Sequence, residues 1–122
     1  MKKIAPLLLI ALIFAANSYS QTSKQFLKSG LKKTITFDYQ GAITDYNNAI
    51  ERDPNYDSAY FLRGITKFQS GDLQSALTDY NKAIEINANF FIAYFNRGIL
   101  KSNLGDKEGA VSDYNKAIGI VF

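Results

Sequence analysis

A repeat of 34 residues is the feature of this sequence that most restricts what the chain can fold into. The segment TDYNKAI at residues 78–84 returns as SDYNKAI at 112–118 and is preceded by TDYNNAI at 44–50. Self-similarity at a fixed period of about 20–50 residues is the signature of stacked supersecondary units. The sequence therefore predicts three repeats, at residues 23–56, 57–90 and 91–122.

The spacing of apolar residues inside each unit is helical. In the second repeat, apolar residues lie three or four positions before and after Tyr80, at Ala76, Leu77, Ala83 and Ile84. This spacing is typical of one face of a helix. The same pattern recurs in each unit, and no segment has the alternation of a strand. We therefore expect an all-α chain with six helices, near residues 24–36, 39–52, 57–70, 73–86, 91–104 and 107–119.

Gly-Asp pairs mark the turn between the two helices of a repeat. The pairs at residues 71–72 and 105–106 have the order of a left-handed helix stop followed by an N-cap. In the first repeat, Asp38 keeps the cap but Phe37 replaces the glycine. Pro54 follows the second helix of that repeat and cannot continue it.

Three glycines fall in mid-helix, at Gly30, Gly64 and Gly98. Each costs about 1 kcal/mol relative to Ala in a helix interior, so a packing gain must offset the cost. We expect a close approach of the paired helix, made at Ala42, Ala76 and Ala110. We expect the gap between repeats to be filled by the rings of Tyr46, Tyr80 and Tyr114.

The order of an aromatic residue, a mid-helix glycine, Gly-Asp, alanine, tyrosine and alanine, with Pro54 after the first unit, resembles the tetratricopeptide repeat family. The resemblance covers essentially the whole chain after residue 20. Arg63 and Arg97 depart from it, because the family usually has Leu there. The resemblance implies an α-α superhelix, or solenoid, of three helix-turn-helix repeats that acts as a non-catalytic scaffold for protein–protein interaction.

The family binds peptides or proteins mostly on the concave face lined by the first helix of each repeat. Carried onto this sequence, the resemblance implies a partner-binding set of Lys24, Leu27, Lys28, Leu31, Phe61, Leu62, Ile65, Phe68, Phe95, Asn96 and Ile99. The middle of this set is apolar, which favours an apolar or amphipathic partner. The family's clamp for a C-terminal carboxylate does not match, because its key sites hold Leu27, Leu31, Phe61 and Ile65.

Two alternatives stay open for this surface and for the chain. Phe61 and Phe95 could instead pack against the neighbouring first helix. The chain could also be a truncated or accessory segment of a larger envelope-associated complex or enzyme.

Composition argues against several classes of function. The chain has no Cys and no His, which removes thiolate nucleophiles, imidazole bases and the usual zinc ligands. We expect no catalytic residues, no cofactor and no metal. The net charge of +3 includes Lys2 and Lys3, and the 12 other basic side chains nearly balance 11 acidic ones. No nucleic-acid partner is expected, since such proteins carry clustered basic faces.

The first twenty residues differ in character from the repeats. Lys2 and Lys3 precede an apolar run at residues 4–16, and small residues at Ser18 and Ser20 suit a signal peptidase. The run is shorter than the roughly 20 residues that span a bilayer, which disfavours the alternative of an uncleaved membrane anchor. We expect a signal peptide at residues 1–20, cleavage after Ser20, and a periplasmic or secreted protein.

A recurring arginine and a recurring aspartate leave a pairing choice open. Arg63 can reach Asp79 in its own repeat or Asp45 in the preceding one, and Arg97 has the same choice between Asp113 and Asp79. Either pair would be structural, whereas a ligand-anchoring arginine is the alternative.

The last repeat has no following unit to cover its stacking face, where Tyr114, Ile118 and Phe122 should be partly exposed. We consider three explanations. The apolar tail folds back as a cap, two copies form a homodimer through this repeat, or the chain is part of a longer array.

Overall fold

The computed structural model describes Ile10 and residues 22–122, and this part of the chain is all-α. The helical residues 22–35 (α1) and the five helices after them form three helix-turn-helix pairs. The later helices are α2 (Tyr39–Arg52), α3 (Asp57–Gln69), α4 (Leu73–Ile86), α5 (Phe91–Asn103) and α6 (Lys107–Val121). No strand occurs among the described residues.

The predicted signal peptide lies outside the described residues, Ile10 excepted. Within the described part, none of the helices has the length and apolar character that crossing a membrane requires.

The turn inside each repeat follows the predicted chemistry. The carboxylate of Asp38 accepts the backbone N–H of Gly41 at 3.0 Å, and Asp72 and Asp106 cap α4 and α6 in the same way. Gly71 and Gly105 adopt φ of +94° and +88°, a left-handed conformation that glycine reaches without steric cost. Phe37 holds the corresponding place in repeat one with φ of +66°.

The mid-helix glycines make room for a tyrosine ring of the same repeat. A Cβ on Gly64 would lie 2.7 Å from Cε1 of Tyr80 and 3.3 Å from the carbonyl oxygen of Ala76. Gly30 faces the ring of Tyr46 in the same way. The predicted close approach at alanine is therefore present, but the ring comes nearer than the alanine backbone does. The tyrosines thus pack within their own repeat first, and do not only fill the gap between repeats.

The first junction between repeats is partly polar. The Thr34 hydroxyl lies 2.8 Å from that of Thr66 in the next repeat and 3.0 Å from the Tyr46 hydroxyl. Tyr46 and Thr66 are fully buried. Burial raises the pKa of Tyr46, although its hydrogen bonds to Thr34 and Thr66 act in the opposite direction.

The second junction between repeats is apolar. Its core consists of Phe61, Ala76, Tyr80, Ala83, Ala93 and Leu100. Leu100 replaces Thr66 at the same position of the period. Burial also raises the pKa of Tyr80 well above its ordinary value.

The C-terminal tail does not fold back over the last repeat. Helix α6 continues to Val121, and Phe122 is 99% exposed. A makeshift cap formed by a reversed tail is therefore not observed, because α6 continues as a helix to Val121.

Candidate partner-binding surface

The predicted partner-binding residues lie on α1, α3 and α5, and their exposure varies along the array. On α1, Lys24 and Lys28 are exposed and Leu31 is 40% exposed. On α5, Phe95 is 49% exposed. The half-buried members are Leu27, Leu62, Ile65, Phe68, Asn96 and Ile99. The two ends of the set are therefore more accessible than its middle.

Phe61 is buried in the junction between repeats. Its ring lies 5.0 Å from that of Phe90 and 6.0 Å from that of Tyr80, centroid to centroid, and it is only 7% exposed. Phe95 occupies the same position of the period but meets only Tyr114, at 5.6 Å, among these ring contacts. Phe61 therefore packs inside the protein, as in the alternative interpretation of this surface, whereas about half of the Phe95 side chain remains accessible.

The middle of the surface is an apolar strip that also supports the core. Leu62, Ile65 and Phe68 pack against the buried cluster while keeping part of their surface exposed. The Asn96 amide donates to the carbonyl oxygen of Ile92 at 2.8 Å, so its polar group is turned toward its own helix. The strip can contribute apolar burial to a bound peptide and few hydrogen bonds.

The arginine column, Arg63 and Arg97, recurs at one position of the period, and each of its members pairs with an aspartate of its own repeat. Arg63 donates from Nε and Nη2 to the two carboxylate oxygens of Asp79, at 2.8 and 2.7 Å. Its Nη1 donates to Oδ1 of Asn47 in the preceding repeat at 2.8 Å. Arg97 repeats these contacts with Asp113 and with Asn81. The guanidinium groups thus join helices and neighbouring repeats, which favours the structural interpretation of this column.

A lysine completes the environment of each aspartate. Lys67 lies 2.9 Å from Asp79, and Lys101 lies 3.1 Å from Asp113. Burial acts to raise the pKa of Asp113, but hydrogen bonds and positive charge from Arg97 and Lys101 prevail and lower it. The Asp113 carboxylate is held ionised by these neighbours, as a structural ion pair requires.

Repeat one uses a reduced form of the same cluster. Ser29 stands where the later repeats have arginine and donates to Oδ2 of Asp45 at 2.6 Å. Lys33 supplies the positive charge, 2.9 Å from the same oxygen. The first repeat therefore keeps the link between its two helices but has no guanidinium directed to a preceding unit.

Two features of the surface were not predicted. One is the asparagine column, Asn47 and Asn81, which receives the arginines of the next repeat; its recurrence in TDYNNAI and TDYNKAI is the signal that would have found it. The other is the contribution of Phe91, Ile92 and Phe95 of α5 to the outer face of the last repeat; the exposure of Ile118 and Phe122 at this face was expected, and the face contains an apolar pocket of about 320 Å³. The described residues contain no group of acidic side chains that could hold a metal ion.

Comparison with known proteins agrees with this architecture. A family model described as TPR repeat matches residues 38–70 and 66–105, and one described as Tetratricopeptide repeat matches residues 92–120. No curated protein sequence matches the chain.

Several solved structures superpose closely on this chain. The crystal structure of MamA has a TM-score of 0.79 at 25% identity, and the alignment covers 83% of this chain and 59% of MamA, under two thirds of its length. The first TPR of Spaghetti (RPAP3), bound to the HSP90 peptide SRMEEVD, has a TM-score of 0.80 at 26% identity, with 83% and 80% covered. The TPR2B domain of yeast Sti1, in its pHsp70 complex, has a TM-score of 0.80 at 22% identity, with 82% and 80% covered.

The family models match well over half of the chain, and the repeated Gly–Tyr packing and Gly-Asp turns provide the physical basis of that match. The chain belongs to the tetratricopeptide repeat family.

Proposed function

We propose that this protein is a non-catalytic interaction scaffold that binds a peptide or protein on the side of the array formed by α1, α3 and α5. The observation that carries the proposal is the apolar strip around Leu62, Ile65 and Phe68, which is only half-buried. Similar repeat domains bound to peptides, such as the first TPR of Spaghetti with SRMEEVD, support it.

The expected partner is an apolar or amphipathic segment with acidic residues at one end. Leu31 adds exposed apolar surface to the strip, and burying such surface stabilises a complex by about 25 cal/mol per Å² before ordering costs. Lys24 and Lys28 are exposed at the N-terminal end, where they can attract a carboxylate.

Photocrosslinking and pull-down with the full chain test this surface, followed by affinity measurement for each captured partner. Leu31→Asp and Lys28→Glu should each weaken binding at least about tenfold, since one places a charge in the strip and the other reverses the steering charge. Val111→Asp is the matched control, because Val111 is 56% exposed but lies on a second helix. If the Leu31→Asp and Lys28→Glu variants both capture the partner as well as the parent protein does, the result would count against the proposal.

The peptide SRMEEVD discriminates between an apolar strip and a carboxylate clamp. The chain has Leu27, Leu31 and Ile65 at positions where a clamp needs cations and amides. We expect no saturable binding of SRMEEVD in isothermal titration calorimetry, and saturable binding that depends on its terminal carboxylate would refute the apolar-strip proposal.

Export through a cleaved signal peptide is a separate part of the proposal. N-terminal sequencing of the protein from its native host should begin at Gln21, whereas a sequence that begins at Met1 would contradict cleavage.

A second candidate function, an accessory segment of a larger envelope-associated complex, is favoured by the apolar pocket at the outer face of the last repeat. A coding region that continues in frame past Phe122 would support this candidate.

A further inference from the structure

The outer face of the last repeat is an apolar surface that no other described residue covers. We call it the end face; it is formed by Phe91, Ile92, Phe95, Ala117, Ile118, Val121 and Phe122. Its side chains include Ile118, 56% exposed, and Val121, 52% exposed. Contiguous apolar surface of this kind on a folded domain marks an interaction site.

The two junctions inside the array show what covers an equivalent face. Phe61, the counterpart of Phe95, is 7% exposed rather than 49%, because α5 packs against its repeat. The covering helix contributes Ala93 and Leu100, both fully buried. At the first junction, α3 contributes Ala59 and Thr66 at the same places, also fully buried. A covering helix therefore has alanine at one position and threonine or leucine seven residues later.

The asparagine column adds a polar requirement between those two positions. Arg63 and Arg97, four residues after the alanine of their helix, donate to Asn47 and Asn81 at 2.8 and 2.9 Å. Asn115 is the next member of the column, is exposed, and lies beside the end face on α6. A helix docked in the same way would direct an arginine at Asn115.

We propose that the end face binds an amphipathic helix of a partner protein that carries Ala, then Arg four residues later, then Thr or Leu seven residues after the Ala. The Ala permits close approach of the helices, the Arg bonds to Asn115, and the last residue packs beside Phe95. The end face shares Phe95 with the predicted partner-binding set, but the proposal does not depend on the apolar strip around Leu62, Ile65 and Phe68.

A second copy of this chain does not have that pattern at its first helix. At the three equivalent positions α1 carries Gln25, Ser29 and Lys32. Head-to-tail stacking would place Lys32 where Leu100 is fully buried, and burial of an unpaired ammonium is strongly unfavourable. Two end faces pressed together would supply no guanidinium to Asn115, since the end face contains no arginine.

A fluorescent peptide with the sequence of residues 56–70, which contains the α3 pattern, tests the proposal on the full chain by anisotropy. The matched control peptide carries Ala59→Gln, Arg63→Ser and Thr66→Lys, the residues of α1. We expect the first peptide to bind saturably and at least tenfold more tightly than the control. Ile118→Asp should abolish binding and Asn115→Leu should weaken it several-fold, whereas Leu31→Asp should leave it unchanged.

Several outcomes overturn the proposal. These are no saturable binding of the test peptide, equal binding of the two peptides, or binding that Ile118→Asp does not reduce. A sedimentation mass of two protomers that Ile118→Asp converts to one, without peptide binding, would show that a second copy covers the face. Because Ile118 is exposed, its variant should fold, and circular dichroism checks that it does.

Discussion

Arg63 and Asp79 form a forked pair, in which two guanidinium nitrogens donate to the two carboxylate oxygens at 2.8 and 2.7 Å. The Asp79 side chain is 3% exposed and the Arg63 side chain 18%, so water screens the pair only partly. The pair joins α3 to α4, and the contact of Arg63 with Asn47 extends the link to repeat one. One side chain thus connects the two helices of a repeat and two neighbouring repeats.

Asp79→Ala should lower the free energy of unfolding by about 3–5 kcal/mol, because it leaves Arg63 and Lys67 partly buried without their counter-charge. Urea denaturation followed by circular dichroism measures the loss. Lys82→Ala is the control, since the Lys82–Glu85 pair is exposed and its loss should cost under about 1 kcal/mol. Equal effects of the two substitutions would contradict a structural role for the buried pair.

Stability should fall in acid through Asp113. The folded-state pKa of this carboxyl lies below its ordinary value, so between the two pKa values the unfolded chain binds more protons. The contribution is therefore complete above the unfolded pKa, about 4, and is lost as pH falls through the folded pKa. We expect the unfolding free energy of Asp113→Asn to depend less on pH below about 4. Parallel curves for the two proteins would refute this assignment.

Gly64→Ala should destabilise the fold, although alanine is the better helix former. Its Cβ would lie 2.7 Å from the Tyr80 ring, and overpacking of a core typically costs about 1–3 kcal/mol. Gly119→Ala in α6 is the matched substitution, because nothing lies within 4 Å of a Cβ there. It should raise stability by up to about 1 kcal/mol. Thermal denaturation of both variants shows whether each substitution raises or lowers stability. A Gly64→Ala variant as stable as the parent would contradict the packing argument.

Phe37→Gly should stabilise the protein. A non-glycine residue in the left-handed region costs about 1–2 kcal/mol, and Phe37 is 75% exposed, so little burial is lost. Glycine's extra freedom in the unfolded chain offsets about 0.5–1 kcal/mol of the gain. Gly71→Ala, the reverse change at the equivalent turn, should destabilise. A rise in Tm for Phe37→Gly with a fall for Gly71→Ala would establish the backbone cause; two changes of the same sign would exclude it.

The helices could be predicted because their signals are local. The predicted bounds of α2 and α4 are the observed ones, since Asp38 and Asp72 cap the helices through bonds to residues three positions away. The pairing of Arg63 could not be chosen from the sequence, because Asp45 and Asp79 lie at positions that repeat geometry makes equally plausible. Only the packing of α3 against α4 places Asp79 within 2.8 Å.

The candidate surface, too, could be predicted only in part from the sequence. Helical spacing puts Phe61 and Phe95 at one position of the period, and the sequence alone treats them alike. The structure separates them, 7% against 49% exposed, because a following repeat covers one and not the other.

The sequence by itself determined the repeat, the helices, their caps and the family, because each depends on residues within one 34-residue period. The tertiary structure alone decided which side chains remain accessible. It also decided which charges pair and which apolar side chains line the end face. These properties depend on contacts between helices, such as that of Arg97 with Asn81, whose partners become neighbours only after the repeats stack.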